Sequence, residues 1–229
     1  MKYTVRVDDK VHTLITFVQG VRMSKTIDDP RNARSQRTRE ALLAATRAIL
    51  EADGFEALTM TAVAERAGVT RRAVYLHFNS RSELVSALFG YIAEQEGLAE
   101  SVASVQHAPD AVSALRAWAR HLAGYHPRVM LVDRAIQRVE HADADAARHR
   151  ETVNEAQLVG CRRVAESLAA EGRLAPPWTV ATATDMLWGL IATDLFERLL
   201  TGREWSRQQL EERLLVLFEA TFVSHDGAR

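Results

Sequence analysis

Residues 58–78, LTMTAVAERAGVTRRAVYLHF, constrain this chain more than any other stretch. Thr59 and Thr70 are each placed to cap a helix, because a threonine hydroxyl accepts from a free N–H of the first turn. Gly68 stands between the two helices, where a sharp turn needs left-handed backbone. Val63, Ala64 and Ala67 before the turn, and Val74 after it, mark the inward faces, with Val69 at the corner. Two helices this short cannot bury a core by themselves. Leu42, Ala45, Ile49 and Leu50 recur at helical spacing and supply a third wall. The arrangement is a helix-turn-helix resting on a preceding helix.

Charge adds a chemical direction. The chain as a whole has a formal net charge of −1. Between Arg31 and Arg81, however, nine arginines face five acids (Glu40, Glu51, Asp53, Glu56 and Glu65). A local basic excess is what phosphate binding requires. Arg71 and Arg72 open the second helix of the motif, whose first residues reach base edges in the major groove. Arginine reads guanine through two hydrogen bonds. Thr59, Thr61, Tyr75, His77 and Arg81 suit phosphates, which hold register without carrying sequence. Ser80 opens a Ser-Arg-Ser-Glu83 capping box that sets the following helix and aims Arg81 at the backbone. The plainer alternative is a solvated basic face beside a buried Tyr and His. The coincidence of the arginines with the turn glycine favours DNA.

These residues resemble the TetR family of regulators. The family pattern is matched at Thr59, Val63, Ala64, Ala67, Gly68, Val69, Thr70, Tyr75, His77, Phe78, Arg81 and Leu84, and by the Gly54-Phe55 step. The resemblance covers about residues 36–96. It implies an all-α homodimer, with an N-terminal three-helix DNA-binding domain and a C-terminal helical domain for ligand binding and dimerisation. The DNA-facing set carried over is Thr59, Thr61, Thr70, Arg71, Arg72, Ala73, Tyr75, His77 and Arg81. Arg72 replaces a frequent glycine, which implies close backbone approach there and favours Arg71 as the base reader, and Ala73 replaces a frequent threonine. Ala73 loses a hydroxyl but can pack on a thymine methyl. The operator sequence therefore does not transfer by analogy. Release of the DNA by a small-molecule effector is implied, with activation as the minority alternative.

The remainder reads as helices. Only five prolines and eleven glycines interrupt 229 residues, and 47% are apolar, enough for a sizeable core. Helices are expected near 35–53, 59–67, 70–77, 80–98, 109–124, 127–142, 144–171, 178–201 and 206–224, about nine in all. Pro109 and Pro127 fall where a first helical turn tolerates proline. The division expected is 1–33 as an extension, 34–98 for DNA and 99–229 for ligand and dimer. Within residues 1–33, alternation about Asp8-Asp9 reads as a hairpin. Equally, translation starts at Met23 and residues 1–22 are not native. The lysines (Lys2, Lys10 and Lys25) all lie in this part.

The helices 178–201 and 206–224 are apolar over a broad arc, from Met186, Leu187 and Leu190 to Leu217, Phe218 and Phe222. Part of that arc is expected inside and part at a two-fold seam. Trp118, His121, Tyr125, Met130 and Trp188 are candidates to line a ligand pocket between helices, although each taken singly suits a core. His141, Asp145 and His149 share a helical face, but neighbouring charges make a solvated face the better reading than a metal site. No metal or cofactor is expected. Glycine-rich phosphate loops, GxSxG elbows and HExxH or CxxC spacings are missing, which argues against an enzyme. The lone Cys161, the lack of a ~20-residue apolar run and the lack of a secretory leader point to the cytoplasm, with no membrane partner.

Overall fold

A computed structural model describes residues 30–224, and these are helical, with one isolated antiparallel bridge between Leu174 and Val223. Ten helices occur among the described residues: α1 Pro30–Ala52, α2 Met60–Arg66, α3 Arg71–His77, α4 Arg81–Gln95, α5 Leu98–Gln106, α6 Ala111–Gln137, α7 Ala144–Ala170, α8 Val180–Gly189, α9 Thr193–Leu200 and α10 Arg207–Phe222. The expected N-terminal hairpin lies outside the described residues. The chain packs as two compact units, one of residues 30–95 with 131–152, the other of 96–130 with 153–224.

In the first unit, α1 packs against α2 and α4, and α2 against α3, with Leu42, Ile49 and Leu50 of α1, Val63 of α2, Val74 of α3 and Leu84 and Leu88 of α4 all buried. Burial of each large aliphatic side chain contributes roughly 1.5–3 kcal/mol, which holds helices too short to persist alone. The end of α6 and the first turns of α7 complete this unit with Val132, Ile136 and Ala146.

In the second unit, Leu115 and Leu122 of α6, Leu168 of α7, Leu187 of α8, and Phe218 and Phe222 of α10 form the centre of the core. Arg116 of α6 grips Glu219 of α10 through two hydrogen bonds, Nε to Oε1 at 2.6 Å and Nη2 to Oε2 at 3.1 Å. Gly160 of α7 has a packing reason. A Cβ there would lie 2.8 Å from the Trp118 ring, so only glycine lets α7 approach α6 at that level.

Three expected boundaries are corrected. Pro127 does not start a helix but lies inside α6. An internal proline costs about 3 kcal/mol, which is offset because the stretches on both sides bury apolar faces, Leu115 and Leu122 before it, Val132 and Ile136 after it. Gly97, at φ +65°, separates α4 from a short α5 that the sequence reading left unassigned. The stretch 178–201 breaks at 190–192. Ile191 and Phe196 are both buried, yet five residues of unbroken helix would set them about 140° apart. The break turns Phe196 back to the core.

Candidate nucleic-acid interface

The turn between α2 and α3 is built as the sequence requires. Thr59 Oγ1 accepts from the Ala62 N–H at 3.0 Å, and Thr70 Oγ1 from the Ala73 N–H at 3.2 Å. Gly68 adopts φ +67°, and the Val69 N–H reaches back to the Ala64 carbonyl at 3.0 Å. Val74 and Phe78 are fully buried and anchor α3. Its opposite side is open: Arg71, Arg72, Tyr75 and Leu76 are exposed, as are Thr59, Thr61 and Thr70 at the helix starts. Ala73 and His77 are half-buried at the flanks.

Within this face the two arginines differ. Arg71 Nη2 donates to Tyr75 Oη at 3.4 Å, and its guanidinium lies 5.6 Å from the centre of the Tyr75 ring. At about 100° per residue, Arg72 falls between Tyr75 and Leu76, in the middle of the exposed arc. Leu76, 78% exposed, stands one turn beyond Arg72 on that arc. The sequence reading passed over Leu76, although its i+4 spacing from Arg72 was a sufficient signal.

His77 and Arg81 have intramolecular surroundings. Burial, with the nearby Arg39 charge, pushes the His77 imidazole below its ordinary pKa. Arg39 itself was not foreseen: it lies 4.3 Å over the Phe78 ring and donates to the His77 carbonyl at 3.2 Å, closing the end of α3. Arg81 donates from Nη1 to Asp143 Oδ2 at 2.8 Å, and its guanidinium lies 4.4 Å over the Phe55 ring. The expected capping box at Ser80 forms on one side only. Ser80 Oγ accepts from the Glu83 N–H, while the Glu83 carboxylate accepts from the N–H of Asn79.

In the second unit, three of the five candidate pocket residues come together along α6. Trp118 and His121 have ring centroids 5.2 Å apart, and His121 stacks on Tyr125 at 5.5 Å. His126 joins them edge-on and stacks on Phe196 of α9 at 5.4 Å. Met130 packs half-buried against the core that contains Trp118, whereas Trp188 stands 37% exposed on α8, apart from them. The Trp118 Nε1 is buried without a hydrogen-bond partner.

His121 is buried, and Ser101 Oγ lies 2.8 Å from its Nδ1. Burial, aided by the Arg128 charge, pushes its pKa from 6.5 down to about 4. The neutral form is thus favoured by folding, and an unfolded chain takes the proton first as pH falls. The contribution is complete above pH 6.5 and declines toward about 4. Its slope there approaches about 1.4 kcal/mol per pH unit. Denaturation midpoints of the wild type and His121→Gln should therefore converge as pH drops through that window. Parallel losses in the two proteins would contradict this account.

His141, Asp145 and His149 are not gathered. His141 is exposed, Asp145 pairs with Arg148 at 3.3 Å, and His149 stacks on Phe89 of α4. Among the described residues no three His, Cys, Asp or Glu side chains are grouped as metal ligands, and no helix is long and apolar enough to cross a membrane.

The model of bacterial regulatory proteins of the tetR family matches residues 42–88, from the middle of α1 into α4. Over those residues this chain is similar to that family. Two curated relatives agree over this TetR-type segment: the HTH-type transcriptional regulator TtgR and the probable HTH-type transcriptional regulator ArpR, both of Pseudomonas putida. Each is 40% identical over 60 residues, which span 26% of this chain and 29% of the relative's length. Likeness of fold reaches further. NalD, the secondary repressor of the MexAB-OprM multidrug efflux pump in Pseudomonas aeruginosa, superposes with a TM-score of 0.66 at 21% identity, covering 85% of this chain and 100% of NalD. A putative transcriptional regulator from Saccharomonospora viridis, solved in complex with choline, gives 0.67 at 14% identity, covering 83% and 100%. Beyond residues 42–88, the likeness is one of helical fold.

Proposed function

We propose that this chain is a sequence-specific DNA-binding transcriptional regulator, a repressor that leaves its operator when a small molecule binds. The observation that carries the reading is the outer side of α3, where Arg71, Arg72, Tyr75 and Leu76 stand exposed directly after the Gly68 turn. That side presents guanidinium groups and an apolar tip to a groove, while the other side is locked by Val74 and Phe78. In this reading residues 34–98 bind DNA and residues 99–229 bind the effector and a second copy. Trp118, His121 and Tyr125 are the residues offered to the effector, which enters against an aromatic wall with few polar groups. The second copy docks on α8 and α10, whose outer sides carry Met186, Trp188, Val216 and Leu217. A two-fold protein then matches a near-palindromic site. NalD is described as a repressor, which supports repression here over activation. The reading leaves no role for catalysis and places the protein in the cytoplasm with the DNA it binds.

The test is selection of the full chain on a randomised duplex library, followed by mobility shift on the DNA beside its own gene. Enrichment of a near-palindrome that recurs in that DNA is expected, and deletion of the gene should raise a neighbouring transcript. Equal binding of all duplexes, or of none, overturns the reading. A fall in the transcript assigns activation instead.

A further inference from the structure

The residue at the start of α4 that sequence reasoning assigned to a phosphate is already engaged by other residues of the protein. Arg81 Nη1 donates to Asp143 Oδ2 at 2.8 Å, and the guanidinium plane covers the buried Phe55 at 4.4 Å. Its Nε is buried without a partner, although the side chain as a whole stays about one-third exposed. The other Asp143 oxygen accepts from the N–H groups of Asp145 and Ala146, at 3.0 and 3.1 Å, and so caps α7. Desolvation alone would raise the Asp143 carboxyl, but the Ala146 N–H, the Arg81 guanidinium and the Asp145 N–H together hold it below its ordinary pKa. One carboxylate thus joins the first turn of α7 to the first residue of α4. Arg81 is also only four residues after His77, the last residue of α3. Phe55, Arg81 and Asp143 bring together the α1–α2 link, the start of α4 and the start of α7, all within the first unit.

We propose that Arg81 and Asp143 are a positioning pair: they fix the α3–α4 link so that α3 is held at the angle base readout needs, and Arg81 makes no phosphate contact. The inference rests on the DNA-binding reading of α3. It reverses the sign of one experiment. If Arg81 were a phosphate ligand that Asp143 partly neutralises, Asp143→Asn would free a cation. Binding to every duplex would then tighten, and the dependence of log K on log salt would steepen. A positioning pair gives the opposite result. Asparagine caps a helix about as well as aspartate, so α7 is retained, while the ionic hold on Arg81 is lost.

The measurement is binding of the full-length protein to its selected site and to random duplex across a salt series, for wild type, Asp143→Asn, Arg81→Gln and the double variant. Each single variant should bind the selected site roughly tenfold more weakly, with random-duplex affinity and salt slope unchanged, and the double variant should lose no more than either single one. Tighter binding by Asp143→Asn, an unchanged site affinity, or a shallower slope in Arg81→Gln overturns the proposal. If Asp143→Asn does not fold, Arg81→Lys decides. A lysine serves a phosphate as a point charge but cannot lie flat on Phe55, so a weaker selected site at constant slope supports the pair and unchanged binding refutes it. Failure of the wild type to prefer any site would instead strike the DNA-binding reading itself.

Discussion

Leu217→Asp is expected to turn a dimer into folded monomers and to remove tight operator binding. The helices α8 and α10 each have two unlike sides. Leu187 of α8 and Leu214 and Phe218 of α10 are buried in their own unit. On the outer sides Met186 is 45% exposed, Trp188 37%, Val216 61% and Leu217 43%. Four large apolar side chains thus stand exposed on these two helices, apolar surface that a monomer has reason to cover. In the proposed dimer a second copy covers that surface with its own, the self-complementary arrangement of a two-fold pair. Aspartate at 217 would sit in that seam twice, close to its symmetry mate, at a cost of several kcal/mol for each unpaired charge. Because Leu217 is exposed in the single chain, the same substitution costs the monomer little, and far-ultraviolet circular dichroism should be unchanged. Sedimentation equilibrium should then give twice the chain mass for wild type at micromolar concentration and one chain mass for the variant. A monomeric wild type would sink the seam. An unfolded variant would show that Leu217 belongs to the internal core instead.

The division of labour on these helices illustrates what the sequence could and could not convey. Met186, Leu187, Leu217 and Phe218 read alike as apolar residues on an over-apolar helix, and nothing local separates the inner from the outer pair. Trp188 suits a pocket by its aromatic character, yet it stands 37% exposed on α8. The α2–α3 turn was legible because its determinants are local: two caps, one left-handed glycine and one inward valine within a dozen residues. The Arg81–Asp143 pair was not, because its partners are 62 residues apart and only packing brings them together. Pro127 misled for the same reason. A proline marks a boundary by local rules, and the buried faces on either side of it override the rule from a distance.

Arg72→Ala is expected to cause the largest loss of site preference of any single substitution in α3. The sequence alone favoured Arg71 as the base reader. We propose from the side-chain arrangement that Arg72 takes that role instead. Arg71 leans on Tyr75, with its Nη2 on the phenol oxygen, which directs its charge along the flank of the helix and suits a phosphate. Arg72 occupies the middle of the exposed arc, with Leu76 next along it, so a guanidinium and an apolar tip advance into the groove together. Guanine beside a thymine methyl is the pair such neighbours read. Losing a bidentate arginine costs ~1–3 kcal/mol per half-site, and a two-fold site carries the loss twice. Preference at one base pair of each half-site should relax toward indifference while random-duplex affinity falls only slightly. Leu76→Ala should relax the adjacent position and leave the salt dependence unchanged, since it displaces no counterion. Arg71→Ala should behave differently, weakening selected and random duplex alike and lowering the salt slope by about one per half-site. The measurement is repeated selection on the randomised library with each variant, beside a salt titration. If Arg72→Ala keeps the wild-type base preference and Arg71→Ala loses it, the hydrogen bond to Tyr75 does not hold Arg71 away from the bases, and readout begins one residue earlier than the exposed arc of α3 implies.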